Sequence, residues 1–321
     1  MPTKHHPHRG SMQFWPHARS RKHTARVQGW PIVNENSLLG FIGYKVGMTH
    51  LLLKEQNPKS PRAGMNVFTP VTVIECPPVK VYSIRLYEED EDGFKIVSEI
   101  FSKKTDKELK RRTPASKKEN KEEVVEFDKI MITIHTQPKN TGIGKKKPDV
   151  IEMGIGGKDN KDKLEYAKSI LGKEVKLSEA IKEGEWLDAH SVTKGKGFCG
   201  TVKKFGVKRL QHKSEKKIRG IGTLGAWTTK KVQYTVAQPG KWGYHLRTEY
   251  NKQAIKIGSK PEDINIKGGF LRYGLVKNDY LLIHGSVPGA KKRPITLVKA
   301  IRPTSKAPKV EIMYTNQESQ Q

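Results

Sequence analysis

Residues 216–227 read KKIRGIGTLGAW, and the choice of fold turns on them. Gly220, Gly222 and Gly225 form a literal G-x-G-x-x-G, one signature of a dinucleotide-binding α/β domain. Such a loop follows a buried strand and opens a helix, so that pyrophosphate meets the helix N-terminus. Here SEKKIR precedes the first of these glycines, too charged for a central strand. AWTTKKVQYTVAQPG follows them, β-branched and ended by Pro239 and Gly240, which is no helix. The isolated acid expected about 20 residues further on is not convincing either. Glycine has a simpler use: it lets the backbone turn sharply and approach a crowded partner. That places Trp227 at or near the tip of a tight loop.

The surrounding region supports this. From 193 to 250 the chain carries 14 Lys and Arg against two acids, Glu215 and Glu249. The cations are Lys194, Lys196, Lys203, Lys204, Lys208, Arg209, Lys213, Lys216, Lys217, Arg219, Lys230, Lys231, Lys241 and Arg247. Trp227, Trp242, Tyr234 and Tyr244 are spread among them, with His212 and His245. A loop this long inside a compact domain is abnormal and usually functional. So much like charge prevents it from folding on itself. It reads as an extension that takes its structure from a partner. Phosphates accept Lys and Arg, and exposed bases stack on tryptophan and guanidinium faces, so the pattern points to RNA. A merely solvated basic face does not explain why acids are scarce here yet abundant at 88–128. DNA is a further candidate, but no helix-turn-helix or zinc finger is present.

The whole chain is biased the same way. Its 321 residues hold 61 Lys and Arg against 33 Asp and Glu, a formal charge of +28 and a pI near 9.9. That excess opposes compaction unless a polyanion neutralises it. An anionic membrane surface is the other candidate, but no basic amphipathic helix has a clean apolar face, and no apolar run is long enough to span. Cys76 and Cys199 lie far apart and in no metal spacing, so neither a disulfide framework nor a zinc site is expected. The N-terminus has no secretory h-region. It is basic and free of acids, as mitochondrial presequences are, but its prolines argue against an amphipathic helix. The cytoplasm is the expected location. Neither TGIGKKK (141–147) nor MGIGGK (153–158) completes a P-loop. No nucleophile elbow, HExxH or paired carboxylate site appears. No enzyme activity, cofactor, metal or small-molecule substrate is expected.

Outward from the basic region the chain reads as short strands and turns. LLGFIGYKVGMTHLLL suits strand, turn and strand; VTVIECPP, VKVYSIRLY, KIMITIHT, DVIEMGI and EWLDAHSVT are strands, with Trp186 most simply a core residue. DKLEYAKSILG (162–172) is a helix with Leu164, Ala167, Ile170 and Leu171 on one face and Gly172 stopping it. Ser178 caps a second helix over 179–183. AIKIG, DYLLIHG and ITLVKAIR are further strands, and VPGAKKRP (287–294) is a basic turn holding Lys291, Lys292 and Arg293. Many short strands on both sides of a long interruption predict a small β-barrel, mainly β with an α/β insertion. The expected organisation is a basic N-terminal extension (1–36), barrel (37–89), inserted α/β subdomain (90–185), barrel again (186–305) containing the 196–250 finger, and a loose polar tail (306–321). The extension has no acid through residue 34, and its Arg9, Arg19, Arg21, Lys22 and Arg26, with Trp15 and His17, fit either a disordered tail or an arm that orders on RNA. HHPH (5–8) lacks a further ligand cluster.

Several of these stretches together resemble one family. GKGFCGTVKKFGVKR (195–209), GAW (225–227), GYHLRTEYNKQAIKIG (243–258) and YLLIHGSVPGAKKR (280–293) look like the universal large-subunit ribosomal protein L-three family, as does FIGYKVGMT (41–49). The resemblance runs from about residue 8 to 305, and its archaeal branch fits best: the chain is short and has no lysine-rich C-terminal tail. It implies a translation-protein-type β-barrel with an inserted subdomain and long rRNA-penetrating extensions. It implies direct binding to large-subunit rRNA early in assembly, contacts with neighbouring large-subunit ribosomal proteins, and no catalytic role. It also implies that the finger tip (Gly222, Gly225, Trp227) lies near the peptidyl-transferase centre. A histidine that eukaryotic members often methylate is not matched: Glu215 or a neighbour stands there, and His212 is out of register. An assembly factor not retained in the mature ribosome is the alternative.

Overall fold

The computed structural model describes residues 10–11, 13–56, 58–103, 105–114, 126–303 and 310–320. Arg9, the histidines of 5–8, and the acids between 115 and 125 lie outside them. By its contacts the chain divides into two compact units, Met1–Arg21 with Val192–Leu246, and Lys22–Ser191 with Arg247–Gln321. The expected 1–36 extension is therefore shared between the two.

The larger unit starts from β1 (Gly40–Lys54), one 15-residue strand where strand, turn and strand were expected. Its glycines serve close approach instead of a turn. A Cβ on Gly43 would fall 2.5 Å from the Ile74 side chain and 2.7 Å from the Cys76 sulfur. Pairing skips Val46, since Lys45 stands opposite Ile74 and Gly47 opposite Val73. A bulge of this kind bends and twists a strand. On one edge β1 pairs with β2 (Asn66–Glu75). On its other edge, residues 40–44 and 51–54 meet two different strands from the end of the chain.

Next come β3 (Val79–Asp90), β4 (Gly93–Phe101), β5 (Lys129–His135), β6 (Val150–Gly154), α1 (Asn160–Ile170), β7 (Glu174–Val175) and α2 (Leu177–Ala180). They form the insertion, a sheet in the order β4-β3-β5-β6 with β7 on β3. It begins at Val79, not at 90. Leu164 and Ala167 of α1 are buried, as one apolar face requires. Ser178 lies inside α2; Lys176 is the N-cap residue, and its N–H donates to the Glu179 carboxylate (3.4 Å). The insertion has no core of its own. Phe41, Ile42 and Ile74 of β1 and β2 share one buried cluster with Ile84, Ile132 and Leu177. Tyr44 extends this contact by hydrogen bonds to Thr136 (2.8 Å) and Asp149 (2.9 Å).

The chain then supplies β8 (Trp186–Val192), β9 (Gly195–Cys199), α3 (Thr201–Phe205), β10 (Gly240–Gly243), β11 (Leu246–Gly258), β12 (Tyr280–His284), β13 (Pro294–Lys299) and β14 (Glu311–Thr315). Strands β13-β8-β11-β12-β2-β1 are hydrogen-bonded in that order, and β13 returns to β1, with Gly40 opposite Val298. The ring closes a six-stranded barrel, which removes its sheet edges. The fold is mainly β, with small α insertions. Trp186 is half-buried, outside the core. The described end of the tail is ordered: β14 pairs with β1 over residues 51–54.

A second buried cluster sits under residues 259–279, where Ile264, Ile266, Phe270, Tyr273 and Val276 pack on Tyr44, Val73 and Leu282. Glu75, fully buried, anchors this loop. Its carboxylate accepts from the N–H of Lys277 (2.9 Å) and Asn278 (3.0 Å), the Asn278 amide (2.7 Å) and the Tyr273 hydroxyl. Four donors satisfy a charge that would otherwise be costly to bury.

Candidate nucleic-acid interface

The smaller unit is built on a two-stranded base. β9 and β10 pair antiparallel, with Gly240 opposite Cys199 and Lys241 opposite Phe198. A shift at Trp242 brings its ring under Lys196, whose Nζ lies 3.7 Å from the ring centroid. Short α3 follows, with Phe205 buried and Gly206 in the left-handed conformation (φ 66°) that ends a helix.

Residues 13–21 are laid against this base. Trp15 stacks on His17 (centroids 4.3 Å apart) and meets Tyr234 edge-on (5.7 Å). Phe205 lies parallel to the indole at 6.5 Å. Trp15, expected to stack on a base, is half-buried and already has these three rings as neighbours. For His245, RNA contact or packing was expected. It is buried, and backbone groups hold it: Nδ1 donates to the Ala18 carbonyl (2.8 Å), and Nε2 accepts from the Gly243 N–H (3.1 Å). Those two bonds select the tautomer with a proton on Nδ1. The Ser20 N–H donates to the Tyr244 carbonyl (2.8 Å), and the Arg19 guanidinium lies 5.3 Å from the Tyr244 ring. Arm and base are thus clasped by main-chain bonds and stacked rings.

Beyond α3, residues 206–239 contain no strand, and the G-x-G-x-x-G has neither a strand before it nor an α-helix after it. The Leu210 N–H donates to the Ile218 carbonyl (2.9 Å), closing a loop that carries His212, Lys213, Lys216 and Lys217. Of the three motif glycines only Gly225 has a left-handed backbone (φ 123°). A single 3₁₀ turn, Trp227–Thr229, follows it. The Trp227 side chain is 89% exposed, beside Leu224, Val232, Lys230 and Lys231. No described residue covers a ring that would gain much by burial.

The thirteen cations from Lys194 to Lys241 are in no ion pair among the described residues, whereas acids pair with cations at Arg85, Lys80 and Lys145 in the larger unit. Lys208, Arg209, Lys213, Lys216, Lys217, Arg219, Lys230 and Lys231 are all exposed. Unpaired like charges at this density repel one another unless a polyanion intervenes. Arg21 is exposed in the smaller unit, and the other described candidates fall in the larger one. Lys22, Arg26 and Lys292 are exposed there, Arg247 and Arg293 are half-buried, and Lys291 donates to the Leu271 carbonyl (2.9 Å). Among the described residues no group of three His, Cys, Asp or Glu side chains is placed to hold a metal ion, and no helix is long and apolar enough to cross a membrane.

Sequence reasoning missed Phe205 and Tyr234 as partners of Trp15. Phe205 sits in VKKFG, where a lone aromatic among lysines was the available signal.

The sequence model of the family described as Ribosomal protein L3 matches residues 1–321. The "Large ribosomal subunit protein uL3" of Methanobrevibacter smithii is 45% identical, covering 100% of this chain and 99% of its own length. The proteins of the same name from Methanothermobacter thermautotrophicus and Methanocaldococcus jannaschii are each 44% identical, covering 98% of this chain and 98% and 97% of their own lengths. With matches of that extent, the chain belongs to the ribosomal protein L3 family and is a structural constituent of the large ribosomal subunit, not an enzyme.

Proposed function

We propose that the chain binds large-subunit rRNA directly through its smaller unit, supports early subunit assembly, and carries Trp227 to the neighbourhood of the peptidyl-transferase centre in the cytoplasmic ribosome. The observation that carries this reading is the run of thirteen cations with no acidic partner among the described residues, and an exposed tryptophan in its midst. Lys and Arg neutralise phosphates and release counterions, which supplies affinity without reading sequence. Trp227 offers a flat face to an unstacked base. Lys292, Lys22 and Arg26 add to the phosphate contacts from the larger unit. The reaction of the site belongs to RNA, and the protein's part is to position it.

Sedimentation of tagged protein through a high-salt sucrose gradient tests this reading. Co-migration with mature large subunits is the expected result. Migration with precursor particles alone identifies an assembly factor instead, and material at the top of the gradient overturns the reading.

A further inference from the structure

Three loops of the larger unit concentrate charge that the finger does not account for. Residues 138–147, 264–278 and 286–293 carry ten Lys and Arg and no Asp or Glu. The loops meet. A Cβ on Gly142 would fall 3.3 Å from the Leu275 carbonyl, and the Asn278 amide donates to the Asn140 carbonyl (3.1 Å). The Lys291 ammonium reaches across to the Leu271 carbonyl (2.9 Å). Lys146, Lys147, Arg272, Lys277 and Lys292 are exposed, and none of the five is in an ion pair among the described residues.

The acids that touch these loops are already engaged. Glu75 is buried under its four donors, and Asp149 is buried against Tyr44 and Lys145. Glu108 is bridged to Lys139 (3.1 Å), and Asp279, after the second loop, is half-buried. Main-chain bonds through Gln317 join Lys267 to Glu262 and Asp263, so that end of the loop is not basic. The positive surface is the other end, around Arg272.

The backbone at Arg272 marks the same place. Phe270 and Gly274 exchange two main-chain hydrogen bonds (3.0 and 2.9 Å), closing a tight turn over Leu271, Arg272 and Tyr273. Arg272 has φ 62°. That region favours glycine, and a residue with a Cβ is held there against its own preference. A strained cation at an exposed tip is an outlier of the kind that gathers at ligand sites. The Glu75 carboxylate fixes the turn from below through the Tyr273 hydroxyl, so the guanidinium stands on a rigid base. Less ordering is then left to be done on binding.

The shape of the surface separates it from the finger. Phe270 and Tyr273 point inward and are buried, and no aromatic ring on the three loops is exposed. Leu271 and Leu275 face outward instead, 40% and 53% exposed. Cations with no ring to stack on a base suit a helix whose bases are already paired. Double-helical RNA is bound through its phosphates and sugars across a wide, shallow minor groove.

We propose that these three loops bind the sugar–phosphate backbone of a double-helical rRNA segment, separate from the one that the finger meets. Phosphates take Lys146, Lys147, Arg272, Lys277 and Lys292, and Leu271 and Leu275 rest on the sugars. The site reads helical shape and not base sequence. The inference rests on the reading that the chain binds large-subunit rRNA, and it needs nothing from Trp227.

The test assembles the full chain into large subunits with an iron chelate, a source of hydroxyl radicals, tethered to one introduced cysteine. Cys76 and Cys199 are buried, which leaves the label to Leu275→Cys or, in a second preparation, to Leu224→Cys in the finger. The expected result at position 275 is cleavage of both strands of one rRNA helix, at nucleotides other than those cut from position 224. A triple variant, Lys146→Gln, Lys147→Gln and Arg272→Gln, should keep its thermal midpoint and lower the slope of log affinity for whole large-subunit rRNA against log salt by about 2 to 3. Arg272→Gly should melt no lower than the unaltered chain and bind more weakly. No cleavage from 275, cleavage confined to unpaired nucleotides, an unchanged slope, or a lowered midpoint in either variant would each overturn the proposal. Paired cuts from 275 with none from 224 would leave this surface standing and remove the RNA-contacting finger.

Discussion

Trp227 and His245 lie 18 residues apart in the same basic stretch, yet do opposite work. Trp227 is left largely uncovered by the described residues. Trp227→Ala is expected to leave the thermal midpoint of the free protein unchanged, within about 0.5 kcal/mol of stability. A marked loss in a melting curve would make it a core residue. His245 is held between two backbone groups and joins residues 13–21 to the finger base. Its position among cations left RNA contact and packing both open, because sequence displays neighbouring side chains but not the carbonyl of Ala18. The larger unit has buried histidines of its own. His135 and His190 are buried, and desolvation lowers the pKa of each below the ordinary 6.5. The sign follows: near pH 7 both folded and unfolded states hold them neutral. As pH falls through 6.5 the unfolded chain takes up protons first, so stability declines, by up to about 1.4 kcal/mol per pH unit for each histidine. Melting temperatures measured between pH 7 and pH 5 should fall, and His190→Gln should flatten the slope. An unchanged slope in that variant would show that His190 does not titrate between the two states.

Among the elements, the loop of residues 210–218 makes the clearest electrostatic prediction. Lys213, Lys216 and Lys217 project from it without acidic partners. Replacing all three by Gln is expected to weaken binding to an rRNA fragment and to reduce the slope of log affinity against log salt by about 2 to 3. Titrations at several salt concentrations check this; an unaltered slope would place the phosphates elsewhere. Such a basic element was legible because its signal is compositional and local. The strands were legible for a similar reason, since Val, Ile and Tyr in alternation carry their own pattern. The turn expected within β1 was not there, because glycine permits a turn and a tight strand contact equally, and only the nearness of Ile74 and Cys76 to Gly43 distinguishes them. The stacking of Trp15 on Phe205 was hidden by 190 residues of intervening chain. The anchoring of residues 259–279 by Glu75 was hidden too, since a single acid at a strand end looks like any surface carboxylate.

At the scale of the molecule, one buried cluster serves both barrel and insertion, so residues 79–181 cannot be removed without opening the barrel's own core. The closing strands make a further distinction. β13 completes the ring, whereas β14 adds to β1 outside it. A chain ended after residue 303 is expected to keep a cooperative melt, and one ended after residue 293 to lose it, as followed by circular dichroism. Cooperative melting of the shorter chain would show that the ring does not depend on β13.

The pairing of Gly40 with Val298 also sets a schedule. These partners are made 258 residues apart, and at about 5–20 residues per second the interval is roughly 13–50 s. Throughout it, the first strand has an edge with no mate, bearing Phe41 and Ile42, and late in it the basic finger has been made before residue 298 is. Each newborn copy is therefore sticky at one end and polyanion-seeking in the middle before it is whole. Its hazards during synthesis are premature capture by stray RNA and strand-to-strand aggregation, and a helper that shields β1 until residue 298 emerges would relieve the second.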